Sequence, residues 1–338
     1  MWRLIQGLYR GLEQNVPNAV KELIPSSWRT RVGYYIKVTM GQHAIQRISA
    51  SSNLMRMLRL DVPVPLGHTR DKVFEYLSGF YLKNSGPNPE LVVYLDHACD
   101  RFLYTLNLVP QESGKLLEVG AGPYFMTLLL KRFRDYELTL VNYFGESLGT
   151  HGLQTAVDLK GNETDFPFDN VDVEFKTLPY PDKSFDVVLL CEVLEHFTND
   201  PLHALIEIRR VLKDQGILVL TTPNVLRVEN VSRLLGGYNI HVLYSGYGPQ
   251  GRHNREYTPD ELRKLLKQAG FKVETLFTSD VHGNPAEFFM PAKRYEALLR
   301  TPHGLLGAYV FIRASAVGAS DIRKPSWLYR SYPADQLV

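Results

Sequence analysis

Two short stretches hold most of the side chains that could do chemistry. The first is Glu192-Val193-Leu194-Glu195-His196. Residues at i, i+3 and i+4 share one face of a helical turn. A turn here would therefore bring Glu192, Glu195 and His196 together. Two carboxylates and an imidazole at that spacing suit a divalent ion, or leave the histidine to act as a general base. The second stretch, Arg252-His253-Asn254-Arg255-Glu256-Tyr257-Thr258, lies far downstream.

A third stretch, Leu116 to Tyr124, suits a ligand rather than a reaction. Residues 115–119 read as a short buried strand and 125–133 as a helix, with Pro123 suited to its first turn. Between them lie Gly120 and Gly122. Glycine lets backbone approach a ligand closely, and a helix N-terminus points N–H groups at it. The third glycine of a dinucleotide fingerprint is replaced by Tyr124, which disfavours a pyrophosphate. A nucleoside without phosphates needs less room.

The elements that must position these residues follow from periodicity. Residues 69–83 and 91–106 have helical apolar spacing, separated by the breaker Asn84-Ser85-Gly86-Pro87-Asn88-Pro89. From 115 onward strands and helices alternate, the pattern of an α/β, doubly wound parallel sheet. Strands are predicted at 115–119, 137–141, 171–175, 185–191, 216–221, 271–277 and 308–314, and helices at 201–212 and 259–269. Thr258 suits the N-cap of the last helix and Gly270 its stop. Residues 223–257, rich in Tyr, Asn, His, Arg and Gly, read as an insertion that builds an acceptor site. Residues 321–338 read as a tail that folds back on the body or meets a partner.

The chain has 338 residues and a net charge of +2, unevenly spread. Residues 1–60 carry nine Lys/Arg against two acids, and the remainder is mildly acidic. A basic arm suggests contact with an anionic lipid surface, phosphorylated substrate or nucleic acid. Residues 1–14 place Trp2, Ile5, Leu8, Tyr9 and Leu12 on one helical face, which suits a membrane interface or packing on the body. Cys99 and Cys191 give no disulfide framework or cysteine metal site, so a cytoplasmic setting, peripheral to the inner membrane face, is expected. No apolar run is long enough to span a bilayer.

Glu118-x-Gly120-x-Gly122, between a strand and a helix, resembles the first motif of the class I S-adenosylmethionine-dependent methyltransferases. Leu178-Pro179-Tyr180-Pro181-Asp182-Lys183-Ser184-Phe185-Asp186 is a second, specific match. The resemblance covers roughly residues 90–315. It implies a Rossmann-like seven-stranded sheet whose last strand is antiparallel, preceded by a helical extension (1–90) and followed by a tail (316–338). It also implies that Glu118, Gly120 and Gly122 hold the cofactor, S-adenosylmethionine. At the family's ribose-binding acid stands Asn142, which can bond a hydroxyl but without the charge; Glu146 is the alternative. Glu174-Phe175 falls where the family has an acid near the adenine amine.

Glu-x-x-Glu-His followed by His-x-x-Glu-aromatic-Thr is similar to the metal-dependent branch of these enzymes. That branch includes the small-RNA 3′-end 2′-O-methyltransferases, and the ubiquinone-pathway O-methyltransferases share its first half. By that resemblance Glu192, Glu195, His196 and His253 would bind Mg²⁺, Mn²⁺ or Zn²⁺ and grip neighbouring hydroxyls. Without metal, His196 would serve as a base or as cleft wall. The insertion and the 253–258 run also look like bacterial glycan-modifying methyltransferases. The expected activity is therefore O-methylation of a sugar hydroxyl in a glycan or glycolipid, as in polysaccharide biosynthesis. The rivals are an RNA 2′-O-methyltransferase, a quinone or aromatic O-methyltransferase, and a catalytically dead binding module.

Overall fold

A computed structural model describes residues 58–289, 294 and 305–338. The expected amphipathic helix at 1–14 and nearly all of the basic arm lie outside the described residues.

The predicted helix at 69–83 is shorter than its spacing suggests. Helix α1 (Arg70–Ser78) starts at the cap Thr69, whose hydroxyl accepts the Lys72 N–H at 3.2 Å, and stops at Gly79. The chain then extends into a three-residue strand β1 (Phe80–Leu82). Helix α2 (Pro89–Leu108) begins at Asn88, a side-chain cap followed by proline at the first helical position. Then come β2 (Gly114–Val119), α3 (Phe125–Phe133), β3 (Tyr136–Asn142), β4 (His151–Asp158), β5 (Glu163–Asn170) and β6 (Phe185–Cys191). They are followed by α4 (Pro201–Val211), β7 (Leu212–Pro223), α5 (Val228–Leu235), α6 (Pro259–Gln268), β8 (Phe271–Ser279) and β9 (Tyr309–Ala316).

These strands form one sheet in the order β1-β4-β5-β3-β2-β6-β7-β9-β8. The central pairings β5–β3–β2–β6–β7 are parallel, and β9 runs antiparallel to both β7 and β8. Reversal of chain order at β2 puts a crevice at the carboxyl ends of β2, β3 and β6, where doubly wound sheets hold ligands. Both faces of the sheet are covered. Leu116, Val187, Leu189 and Val219 pack in one cluster, and Leu117, Val188, Leu190 and Leu218 in the other. Continuous apolar runs such as β6 are what two-sided burial requires.

Two features depart from the expected sheet. Residues 171–175 are not a strand: the Phe175 and Lys176 N–H groups turn back to the Asp172 carbonyl. The chain after β3 instead makes an antiparallel hairpin, β4 with β5, and β5 meets β3 only at Val141–Asp169 and Asn142–Asn170. Polar residues and Pro167 hide these strands from an apolar-alternation reading. With β1 paired to β4, the sheet has nine strands rather than seven.

Helix α6 has the expected Thr258 cap, closed as a capping box with Glu261, and Gly270 follows it at φ +87°. The tail folds back. The Tyr329 hydroxyl donates to Asp200 at 2.7 Å and accepts the Leu202 N–H at 3.0 Å, tying the tail to the start of α4.

Candidate active site

The turn after β2 depends on its two glycines in different ways. Gly120 has φ +78°, and a Cβ there would collide with the Val193 side chain. At Gly122 a Cβ would meet only Asn142 Oδ1 at 3.9 Å and Phe144 Cζ at 4.0 Å, ordinary contacts. The first glycine is therefore required by the backbone, and the second keeps space open. Pro123 does not enter the helix: Tyr124 is the N-cap, at φ +71°. A left-handed conformation costs a side-chain-bearing residue roughly 1–2 kcal/mol. Packing offsets that cost. The Tyr124 ring lies flat on Phe166, centroids 4.8 Å apart, and its hydroxyl accepts from Asn142 Nδ2 at 3.0 Å.

That contact changes the reading of Asn142. Its Oδ1 accepts the Gly122 N–H at 3.0 Å, so both ends of its buried amide are engaged in holding the glycine turn. Glu174 departs further. Its carboxylate accepts the N–H groups of Thr198 (2.8 Å), Asn199 and Asp200 (2.7 Å), gathering the backbone that leads into α4. It anchors that loop from the wall of the larger cleft, which it lines. Phe175 is half exposed and does not line the crevice. A second carboxylate on that wall is Asp172, which residues 171–175 concealed while they read as a strand.

The crevice comprises two adjoining clefts. The larger, about 540 Å³, runs from the glycine turn past Asn142 and Phe144 to Val171–Val173 and Val193. The smaller, about 350 Å³, is lined by Glu118, Arg101, Glu192, Glu195, His196 and Tyr309 among others. Gly120, Gly122, Glu192 and His196 border both. At the smaller cleft, burial pushes Glu118 up to about 8, against the Thr127 hydroxyl that donates to it at 2.6 Å.

The expected helical turn at 192–196 forms only in part. A single 3₁₀ turn spans Leu194–His196, and Glu192 precedes it with φ +57°. Glu192 borders the smaller cleft but falls outside the cluster that Glu195 and His196 join. It accepts Arg101 at 2.5 Å and the Thr221 hydroxyl at 2.9 Å. Arg101 is buried beneath the rings of Tyr94, Phe102 and Tyr309. Burial works most strongly against its charge, but Glu192, Tyr94, Tyr309 and Glu195 together outweigh burial and hold it above the ordinary range. Helical spacing does not mark Arg101, which lies off the apolar stripe of α2 and reads as a solvent-facing charge, yet the fold buries it.

The remaining three candidates converge. Ligand atoms of Glu195, His196 and His253 lie within 4.8 Å of one another. Glu195 is fully buried. One oxygen takes the Thr222 hydroxyl at 3.0 Å, and the other, Oε1, has no partner among the described residues and lies 4.0 Å from His196 Nε2. Burial, then the neighbouring Glu192, raise its pKa well above the ordinary carboxylate value. Burial and His253 hold His196 below the usual imidazole range. His196 Nδ1 bonds the Arg252 carbonyl at 3.0 Å, and His253 Nδ1 bonds Glu256 at 3.1 Å. Each imidazole thus has one nitrogen fixed from behind, the arrangement that orients metal-binding histidines. The sequence placed Glu256 in the motif without a task. Its task is to hold His253.

A methyltransferase-domain family model matches residues 93–276, more than half of the chain. The protein is a class I S-adenosylmethionine-dependent methyltransferase. Among relatives, the malonyl-[acyl-carrier protein] O-methyltransferase of Geobacter sulfurreducens is 28% identical over 219 residues, covering 62% of this chain and 78% of that one. Rat mitochondrial arginine-hydroxylase NDUFAF5 is 26% identical over 180 residues, 50% of this chain and 45% of the relative, so the match spans less than half of that protein. A solved S-adenosylmethionine-dependent methyltransferase from Archaeoglobus fulgidus is 18% identical with a TM-score of 0.43, covering 68% of this chain and all of that one. The residues present in this methyltransferase fit its cofactor. The larger cleft has an apolar end for a base and an open glycine turn, and the smaller one begins where the turn meets Glu118.

Proposed function

We propose that this methyltransferase transfers a methyl group to a hydroxyl oxygen of a sugar in a glycan or glycolipid. The observation that carries the reading is the convergence of Glu195, His196 and His253 where the two clefts meet. The cofactor supplies an electrophilic methyl on sulfur. Gly120 and Gly122 leave room for it in the larger cleft, and the Glu118 carboxylate is available to its ammonium end. The acceptor occupies the smaller cleft. Arg101, Glu192, Tyr309 and the two histidines give that cleft a polar wall, which suits a polyhydroxylated acceptor better than a quinone ring.

His196 Nε2 carries a lone pair when Nδ1–H donates to the Arg252 carbonyl. It is placed to take the proton of the acceptor hydroxyl, and its lowered pKa keeps the ring neutral and ready to do so. The same three residues fit a divalent cation. An orphaned, buried carboxylate oxygen faces two imidazoles whose second nitrogens are held, and such an ion would acidify and orient the hydroxyl. Glu195 Oε1, His196 Nε2 and His253 Nε2 would hold it; Glu192 would not, being paired with Arg101.

The test is product mass spectrometry on glycans and glycolipids from cells with and without the gene, followed by methylation of the deficient extract with purified protein. A sugar fraction that gains one methyl supports the reading. A methylated quinone, RNA or acyl carboxylate instead would replace it.

A further inference from the structure

We infer that the cofactor's ribose hydroxyls are received by Gln154, a residue of the β4–β5 hairpin. The inference rests on the cofactor lying in the larger cleft. Three observations lead to it. First, the residue at the end of β3 that would ordinarily meet the ribose is already engaged: Asn142 accepts the Gly122 N–H and donates to the Tyr124 hydroxyl, each at 3.0 Å. Second, the cleft does not end at Asn142. Its lining also includes Phe144, Gln154, Asn84 and Ser85. Third, Gln154 Oε1 is buried and has no hydrogen-bond partner among the described residues.

The hairpin register explains why the side chain is there. Gln154 stands opposite Phe166, and Gly152 opposite Phe168. Paired residues share a face of the sheet, and Phe166 is the ring that carries Tyr124. Gln154 is therefore on the face that borders the glycine turn, whereas Thr155 on the other face bonds Asp165 at 2.7 Å. Next to it, Gly152 has no side chain, and the Phe168 ring occupies the place its Cβ would take. Phe168 in turn meets Phe144 edge to face at 5.4 Å. This leaves Gln154 as the polar group on that part of β4 facing the cleft.

A buried carbonyl oxygen left without a donor is costly, because it gives up the hydrogen bond water would supply. A vicinal diol is a suitable occupant, since each hydroxyl both donates and accepts and an amide offers both an acceptor and a donor. The family's acid would do this with a charge. Here an uncharged amide, brought from a different strand, takes its place.

The test is calorimetric titration of the full-length protein with S-adenosylhomocysteine and with its 2′-deoxy and 3′-deoxyribose analogues. Wild type is expected to bind at least one deoxy analogue about tenfold more weakly than the parent. Gln154→Leu should bind the parent about tenfold more weakly, and that analogue with unchanged affinity. Gln154→Glu, which can still accept both hydroxyls, should keep the discrimination and guards against a folding defect. Equal binding of all three ligands by wild type overturns the inference, and so does discrimination that persists in Gln154→Leu. Gly122→Arg separates the two levels of the argument. If it abolishes binding while Gln154→Leu leaves discrimination intact, the cleft assignment stands and the ribose contact fails. If Gly122→Arg binds normally, the cleft assignment itself fails.

Discussion

His196 and His253 meet edge to face, with ring centroids 5.1 Å apart and planes 85° from each other. Their Nδ1 atoms are held by different partners, the Arg252 carbonyl and the Glu256 carboxylate. Burial alone would raise Glu256, but His253 and Arg227 bring it down to about 2, so it stays ionised and fixes His253 in one tautomer. Glu256→Gln should therefore cut turnover by about 10–100-fold, the usual penalty for removing a partner behind a functional histidine. Affinity for S-adenosylhomocysteine should stay within about threefold. Steady-state rates at saturating cofactor, with a parallel titration, check both parts. Dialysis against a chelator adds a second reading: lost activity that returns with Mg²⁺, Mn²⁺ or Zn²⁺ supports the cation, and unchanged activity leaves His196 as the base.

The two turn glycines should fail in opposite ways. Gly120→Ala forces a Cβ against Val193 at a left-handed φ, so it should lower stability by about 1–3 kcal/mol. Gly122→Arg meets no clash at its Cβ. It should leave the melting temperature nearly unchanged while removing cofactor binding. Thermal unfolding and ligand titration of both variants separate the two effects, and a Gly122→Arg protein that binds normally would refute the placement.

Glu118 gives a pH prediction. An unfolded chain releases this proton near 4.5, whereas the folded, cofactor-free protein holds it to about 8. Between those values the folded state binds more protons, so stability falls as pH rises through the window and levels off above it. Glu118→Gln keeps an acceptor for the Thr127 hydroxyl and cannot ionise. Relative to wild type it should gain on the order of 2–4 kcal/mol between pH 5 and 8. Denaturant unfolding of both proteins across that range checks the sign, and parallel curves would show that Glu118 is already ionised in the fold.

Much of this architecture is legible in the sequence because apolar period and punctuation agree. β6 and α3 are found at the bounds their patterns predict, and the Thr258 box fixes the start of α6. Legibility fails where polar side chains do structural work. The β4–β5 hairpin has too little apolar alternation to declare itself, and its loss from the reading moved the third strand to 171–175. At the site, spacing grouped Glu192, Glu195 and His196, and the family resemblance added His253; the structure gathers the last three and leaves Glu192 on Arg101. Helical spacing assumes helical backbone, and a positive φ at Glu192 breaks that assumption. Its ion pair with Arg101 joins residues 91 apart in the chain, which no local pattern reveals.

Glu174 lines the larger cleft, and its carboxylate is at the same time tied to the chain beside it. Its two oxygens collect three backbone N–H groups and the Thr198 hydroxyl, so the charge stabilises the segment leading to Asp200, the cap of α4. Hydrogen bonds to a charged group are worth roughly 1.5–3 kcal/mol each, and they do not add fully. Glu174→Gln removes the charge and turns an amide donor toward other donors. It should destabilise the fold by on the order of 2–4 kcal/mol, read as a lower urea midpoint at unchanged slope. Affinity for S-adenosylhomocysteine should stay within about threefold at a temperature where the variant is folded. Asp172→Asn should do the reverse, because that carboxylate borders the same cleft and gathers far fewer backbone donors, accepting the Glu174 N–H at 3.2 Å. A Glu174→Gln protein of normal stability with cofactor affinity reduced tenfold would assign the adenine role to Glu174, because oxygens spent on three backbone N–H groups and the Thr198 hydroxyl have little accepting capacity left to discriminate a base.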